Sequence, residues 1–240
     1  MKKIILAILA LVFISCQFSK KEKTSLKVEH KGALKNFMMK GDISSKVGLS
    51  EFKGKTNFYA LGAVENLKGE IQIFNSEPFI TSVEKNKLKI DRTLNKNASL
   101  LVYASVEKWK SITVPKYISS YEQLEEYIEK TAAENGIDIE QPFPFLLEGL
   151  MDSIDWHVIN WKDGDTIHTH QKHKTSGLYG TLEDKEVEML GFYSKSHHAI
   201  FTHHTTNMHI HVKTIDDDLA GHVDGLYLGS GITLKLPDNL

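Results

Sequence analysis

Short β-rich segments at regular spacing restrict the fold of this chain more than any other feature of its sequence. β-Branched and aromatic residues gather in runs of roughly four to eight, separated by Gly, Asn and Lys. The first group of runs predicts strands at 58–64, 70–74, 79–84, 87–90 and 99–106. The second group predicts strands at 155–161, 166–170, 177–182, 187–192, 198–203, 208–214 and 222–228. Such a chain is expected to build sheets that cover one another.

The segment between the two groups of strands has a helical pattern. Tyr121, Leu124 and Ile128 recur at spacings of three and four residues, which places them on one helix face. Ser120 is a good N-cap residue just before this pattern, and Gly136 is a good stop signal after it. The sequence therefore predicts one main helix between residues 120 and 136.

The remaining local signals complete the predicted architecture. A shorter helix is predicted around 33–40, and Pro142 with Pro144 predicts an irregular stretch before the second group of strands. No linker rich in Pro, Gly or Ser and no internal repeat divides the chain. With 41% hydrophobic residues, a chain of this length can bury a core. We predict one β-rich α+β domain at 31–240, with two antiparallel sheets or a half-barrel around the main helix.

The amino terminus has the pattern of an export signal. Lys2 and Lys3 precede an apolar run at 4–14, which is too short to cross a bilayer core of roughly 30 Å as a helix. The segment 13–16, ending in Cys16, resembles a bacterial lipobox. We predict a signal peptide at 1–15, a lipidated Cys16 and a tether at 16–30, so that the protein is exported and held on the periplasmic side of the membrane by its lipid alone. The alternative is that Cys16 merely ends an ordinary signal.

Charge and histidine content narrow the possible functions. Lys and Arg number 29 against 31 Asp and Glu, so no basic excess is present to bind a nucleic acid backbone. Of the 12 histidines, all but His30 lie at or after His157. Arg92 is the only arginine. A site built from histidines is therefore expected in the second half of the chain.

The last predicted hairpin brings three of these histidines together. His209 and His211 are two residues apart on a strand and so share a face. A turn at 215–218 gives a register in which paired residue numbers add up to 433, and His211 then faces His222. Three imidazoles with an open fourth position are typical of catalytic zinc sites. The alternative is that this His-x-His pair arises by chance in a histidine-rich chain.

The other histidines support this site less directly. His168, His170 and His173 can form a pocket wall or the hydrated end of a strand. Adjacent histidines in the pairs 197–198 and 203–204 are predicted to point to opposite faces of a strand, so at most one member of each pair can join a common site.

Several segments resemble the α-acetolactate decarboxylase family over about residues 33–236. The resemblance is carried by Leu61-Gly62-Ala63 leading to Gly69-Glu70-Ile71, by Gly180-Thr181-Leu182, by Gly191-Phe192-Tyr193, and by His209-Ile210-His211 followed by Gly221-His222-Val223. The last hairpin alone is also similar to the PPC domain family. The Gly69-Glu70 motif favours the decarboxylase.

The resemblance implies a zinc-dependent lyase with a small keto acid as its substrate. The implied zinc ligands are His209, His211 and His222, and the implied active-site carboxylate is Glu70, which without the resemblance reads as a solvated turn residue. The implied reaction converts 2-acetolactate to acetoin and carbon dioxide, a step of acetoin biosynthesis. Loss of carbon dioxide leaves negative charge on oxygens that a zinc ion can stabilise.

The sequence departs from the family pattern in two places. The family carries an arginine that binds the substrate carboxylate on a strand corresponding to 165–174, and here Lys172, His170 or His173 would replace its charge. We therefore predict a catalytic role for Lys172 and substrate binding by His170 and His173. The family's second glutamate, on a carboxy-terminal extension, has no counterpart after His222.

Two other functional hypotheses remain at this stage. An exported, non-catalytic lipoprotein would use the histidines at 197–222 to buffer or relay zinc, and would bind more than one metal ion per chain. A PPC-like scaffold that binds DNA or oligomerises is disfavoured by export and by the negative charge. Association into homodimers or homotrimers is left open by the sequence.

Overall fold

Two antiparallel sheets, three α-helices and two short 3-10 helices, Leu49–Phe52 and Glu65–Leu67, make up the part of the chain that the computed structural model describes, residues 26–238. The predicted signal and Cys16 lie outside the described residues. The first sheet contains β1 (Glu29–Lys31), β2 (Val47–Gly48), β3 (Phe58–Val64), β4 (Glu70–Phe74), β5 (Glu77–Glu84), β6 (Lys87–Asp91) and β7 (Asn97–Ser105). The second contains β8 (Trp109–Thr113), β9 (Phe143–Val158), β10 (Leu178–Tyr193), β11 (Met208–Thr214), β12 (Ala220–Leu228) and β13 (Thr233–Pro237). The α-helices are α1 (Leu34–Lys40), α2 (Tyr121–Glu134) and α3 (His170–Thr175).

The order of the strands confirms the predicted β-rich fold class. The first sheet runs β1-β7-β3-β4-β5-β6, with β2 also paired to β7. The second runs β10-β11-β12-β9-β13-β8, and β10 also pairs with β9, so β9 to β12 form a closed ring of pairings. Strand β1 begins two residues before the predicted domain start at 31. Within the described residues, no helix is long and apolar enough to cross a membrane.

The hydrophobic core fills the space between the sheets and the space under α2. Leu61 and Val102 of the first sheet and Leu190 of the second belong to one buried cluster. Leu124 and Ile128 of α2 pack against the opposite side of the second sheet. Because successive side chains of a strand point to opposite faces, one face packs into the core between the sheets and the other packs into the outer clusters.

The main helix has the predicted limits, for the predicted reasons. The Ser120 side chain accepts a hydrogen bond from the backbone N–H of Gln123, which satisfies one of the free donors at the helix start. Gly136 follows the end of the helix with a φ of +81°, a conformation that glycine adopts without strain.

Several predicted strands of the second group are wrong. Residues 166–170 do not form a strand, because the Thr169 side chain caps α3, which begins at His170. Residues 198–203 form a tight turn in which the His197 carbonyl accepts hydrogen bonds from Ile200, Phe201 and Thr202. The two strands predicted at 177–182 and 187–192 are one strand, β10.

The irregular stretch predicted around Pro142 and Pro144 is also wrong, because Pro144 lies within β9. Pro144 is opposite Phe192 of β10, and pairing of β9 with β13 begins only at Leu146. One edge of β9 is therefore unpaired with any strand at Pro144, where the missing N–H costs little.

The pairing of β9 with β10 makes a specific prediction about stability. A Cβ atom built at Gly191 would lie 2.1 Å from the Phe145 ring directly across the pair. We expect Gly191→Ala to lower the free energy of unfolding by about 1–3 kcal/mol, because the ring cannot move aside in a packed core. The measurement is urea denaturation.

Gly180→Ala, on the same strand, is the matched control. Its added Cβ would lie 3.6 Å from Trp156, which is an ordinary contact. We expect its stability to change by no more than about 0.5 kcal/mol. Equal effects of the two substitutions would contradict the proposed clash.

Candidate metal centre

Three histidines form a row across neighbouring strands of the second sheet. His211 of β11 is opposite His222 of β12, which confirms the predicted register, and His222 is in turn opposite His157 of β9. Opposed residues on a sheet point to the same side. His209 lies two residues before His211 and joins them on that face.

The imidazoles of His209, His211 and His222 converge on one point. One ring nitrogen from each lies within 4.8 Å of the others. The Nε2 atoms of His209 and His211 are 3.2 Å apart. Two ligands at about 2.05 Å from a tetrahedral ion lie about 3.3 Å apart, so this pair already has the spacing of metal ligands.

A buried glutamine determines which nitrogen of His211 is free. The Gln72 amide nitrogen donates to the Phe79 carbonyl at 2.7 Å and to the Thr81 hydroxyl at 3.1 Å, which fixes the orientation of the amide. Its oxygen, 2.8 Å from His211 Nδ1, must therefore accept a hydrogen bond from that nitrogen. The lone pair of His211 is left on Nε2, which faces His209.

The electrostatics of the cluster favour a cation. Burial, and then repulsion from neighbouring histidines, lowers the pKa of His209 and of His211 well below the usual range. Both rings are neutral at neutral pH, the form that binds metals. The Nδ1 atom of His222 is buried without a hydrogen bond among the described residues, and the Asp224 carboxylate lies 3.4 Å from it. The donor set fits a divalent metal ion.

Glu70 of β4 lies beside these imidazoles. Its Oε1 accepts a hydrogen bond from the Ile159 backbone N–H at 3.1 Å, and its Oε2 lies 3.9 Å from His211 Nε2. The side chain is buried, and burial raises the pKa of the carboxyl group well above its ordinary value. Glu70 is therefore suited to hold a proton at the site.

A second group of polar residues at the site was missed by the sequence analysis. The Asp224 carboxylate lies 3.0 Å from His157 Nδ1, 3.4 Å from His222 Nδ1 and 3.4 Å from Lys174 Nζ. Burial alone would raise the pKa of Asp224, but its contacts with the two histidines outweigh burial and hold the pKa below its ordinary value. Burial lowers the pKa of His157 to about 4. His157, His222 and Asp224 form a second group whose ligand atoms lie within 4.8 Å of one another.

The segment 165–174 contains the other predicted site residues, and only some of them reach the cavity. His170 and His173 line the cavity next to the metal centre. The Lys172 ammonium instead pairs with Asp165 at 2.6 Å, and Lys172 is not among the residues that line the cavity. Lys174 is the lysine of this segment that reaches a buried carboxylate of the site.

A cavity of about 570 Å³ connects these groups to solvent. Its polar lining includes His209 and His222 with the carboxylates Glu70, Asp224, Glu122 and Glu125, and within residues 26–238 no lysine or arginine lines it. A small oxygenated molecule can reach the converging nitrogens through this cavity.

Comparison with known proteins identifies the fold. No family model matches the chain, and no curated protein matches its sequence. Its structure is similar to α-acetolactate decarboxylase of Bacillus subtilis strain 168, with 12% identity and a TM-score of 0.68 over 88% of this chain and 85% of that one. The fold is that of α-acetolactate decarboxylase. The enzyme of Bacillus subtilis subspecies spizizenii matches with 12% identity and a TM-score of 0.67, over 88% and 85% of the two chains.

A third structure with this fold comes from Staphylococcus aureus. It is a protein of unknown function described as similar to α-acetolactate decarboxylase, with 10% identity and a TM-score of 0.66 over 87% of this chain and 84% of that one. At 10–12% identity these matches establish the shared fold, and the reaction has to be argued from the site.

The role of Gln72 leads to a testable prediction. We expect Gln72→Leu to weaken metal binding by about 10- to 100-fold, because His211 loses the acceptor that holds its proton on Nδ1. Affinity is measured by competition with a chromophoric chelator. Gln171→Leu, at an exposed glutamine of α3, is the control and is expected to leave affinity unchanged. Equal metal affinities in the two variants would show that the hydrogen bond between Gln72 and His211 does not contribute to metal binding.

Proposed function

We propose that this protein is a zinc-dependent lyase that decarboxylates 2-acetolactate, or a related 2-hydroxy-3-keto acid. The observation that carries the proposal is the convergence of three imidazoles beside a buried glutamate at a cavity of this fold. His209, His211 and His222 would hold the ion. When bound, the ion would supply Lewis acidity that polarises the carbonyl group of the substrate and stabilises the negative charge left by departing carbon dioxide.

The reaction consumes one proton, and Glu70 is positioned to supply it. Cleavage of the bond to the carboxylate leaves an electron pair that must be protonated at carbon to give acetoin. Oε1 of Glu70 is held by the Ile159 N–H, so Oε2, on the side of the imidazoles, is the atom that delivers the proton. The buried position of Glu70 keeps bulk water from competing for this step.

We propose that His170 and His173 contact the substrate carboxylate as hydrogen-bond donors. Both line the cavity, and burial lowers the pKa of each, that of His173 to about 4. A neutral imidazole still has one N–H group to donate, and in His173, whose Nε2 lies 2.9 Å from His168 Nδ1, that donor would be Nδ1. This arrangement would replace a charged clamp with neutral donors beside a divalent ion.

The experiment that tests the reaction is a metal and product assay on the mature protein. We expect about one zinc ion per chain, and release of both acetoin and carbon dioxide from 2-acetolactate. A chelator should abolish turnover and added zinc should restore it. Protein that binds zinc at this site and releases neither product would overturn the proposal.

One observation favours a second candidate function, that of a non-catalytic metal-binding protein. At the cavity mouth the ring of His203 lies 4.8 Å from that of His170 and 4.0 Å from that of His204, measured between ring centroids. Metal binding there requires the rings to turn, because these three histidines are not among the groups whose ligand atoms lie within 4.8 Å of one another. The same assay separates the two functions, because this candidate requires more than one zinc ion per chain and no product.

We further propose that the protein works outside the cytoplasmic membrane, anchored through Cys16. The support is the sequence pattern of 1–16 alone. Cell fractionation tests it: Cys16→Ala should prevent lipid labelling and move the protein out of the membrane fraction.

A further inference from the structure

On the face of the first sheet that lines the cavity, the residues next to Glu70 are apolar. Glu70 of β4 is opposite Ala63 of β3, and Ala63 is opposite Leu100 of β7. The three side chains therefore share the face of the sheet that lines the cavity. A molecule that extends from the metal centre along this row meets a small apolar residue first and a larger one next.

The rest of this wall belongs to the hydrophobic core. Phe37, Leu67, Ile159 and Phe201 are buried, line the same cavity, and belong to the cluster between the two sheets together with Ala63 and Leu100. The cavity therefore opens into the core between the sheets on this side, and its histidines and carboxylates form the other wall. We call the six residues the apolar wall.

The size of the cavity exceeds what a small acid needs. Cavities of roughly 300–1,000 Å³ hold ligands of drug size, and this one measures about 570 Å³. A molecule as small as 2-acetolactate, bound at the imidazoles, would leave water against the apolar wall. Water in such a place lacks polar partners, so an apolar group that displaces it gains free energy.

We infer that the site takes a 2-hydroxy-3-keto acid whose acyl group is a chain of several carbons. The inference rests on the proposed function and defines its substrate class. The oxygens of the acid lie at the imidazoles beside Glu70, and the chain lies along Ala63 and Leu100. Burial of each added methylene raises kcat/KM about fourfold, equivalent to about 0.8 kcal/mol, until the wall is covered.

The experiment is a chain-length series on the zinc-loaded full chain. The series starts with 2-acetolactate and replaces its acetyl group with propanoyl, butanoyl and pentanoyl groups, with carbon dioxide release as the readout. We expect kcat/KM to rise about 60-fold from the first member to the last. If 2-acetolactate is the best substrate or the series is flat, the inference is overturned and the proposed function stands. If no member releases carbon dioxide, the proposed function falls and takes the inference with it.

A variant tests whether the acyl chain of the substrate lies along the apolar wall. Ala63→Leu fills the space beside Glu70, and we expect the ratio of kcat/KM between the longest and shortest acids to fall to about one. Leu34→Trp, at a half-buried position of the cavity lining, should reduce the same ratio if Ala63→Leu does not fold. A folded Ala63→Leu protein that keeps the wild-type ratio would overturn this placement of the chain. The wild-type series needs no variant and tests the chain-length preference independently.

Discussion

Replacement of His211 with alanine is expected to abolish both zinc binding and turnover. His211 is fully buried, its Nε2 lies 3.2 Å from Nε2 of His209, and its Nδ1 is hydrogen-bonded to Gln72 of the first sheet. The loss of affinity should exceed the roughly 10- to 100-fold expected when only the residue that hydrogen-bonds a metal ligand is removed. Metal content and acetoin release are measured on the same sample.

Thermal unfolding separates loss of the metal from loss of the fold. A metal ion that binds only the native state stabilises it by about 2.7 kcal/mol at a hundredfold excess over Kd. We expect zinc to raise the Tm of the wild type and of His198→Ala, a control at an exposed histidine that binds Asn207. The Tm of His211→Ala should not respond to zinc. A zinc-dependent rise in that variant would place the ion elsewhere.

The hairpin that carries this prediction is the part of the site that could be predicted from the sequence. His211 and His222 flank one short turn, so the turn alone determines which residues face each other. The predicted strands at 58–64, 70–74 and 208–214 have the bounds of β3, β4 and β11. In these segments the local pattern and the tertiary structure agree.

His157 and Gln72 could not be predicted in the same way. His157 joins the row only because β9 pairs with β12, and no short turn connects those strands. Gln72 reaches His211 from the other sheet, which periodicity within a strand cannot reveal. The one available signal for Gln72 is that it lies two residues after Glu70 and so shares its face.

The histidine-rich loops show where local patterns mislead. β-Branched residues around Thr169 favour a strand, but its hydroxyl caps a helix instead. The prediction that His203 and His204 point to opposite faces is wrong, because residues 198–203 form a turn instead of a strand and the two rings lie 4.0 Å apart. In both segments, side-chain hydrogen bonds and turn geometry outweigh the β propensity of the residues.

Glu70→Gln is expected to lower kcat by about 10²- to 10⁴-fold and to leave zinc binding intact. The amide has nearly the shape of the carboxyl group, and its oxygen can still accept from the Ile159 N–H. It cannot deliver a proton from the position of Oε2, 3.9 Å from His211 Nε2. Single-turnover release of carbon dioxide and acetoin, with metal content on the same sample, is the measurement.

Glu122→Gln is the matched control, because Glu122 is an exposed glutamate that lines the same cavity from the first turn of α2. Its kcat should stay within about threefold of the wild type, since an exposed carboxylate is not held against a reacting atom. The three outcomes for Glu70→Gln assign different roles. Slow turnover with bound zinc makes Glu70 the proton donor, loss of zinc makes it a ligand, and wild-type turnover removes it from the reaction. Only the first agrees with a carboxyl group whose pKa burial has raised and whose Oε1 is already occupied by a backbone N–H.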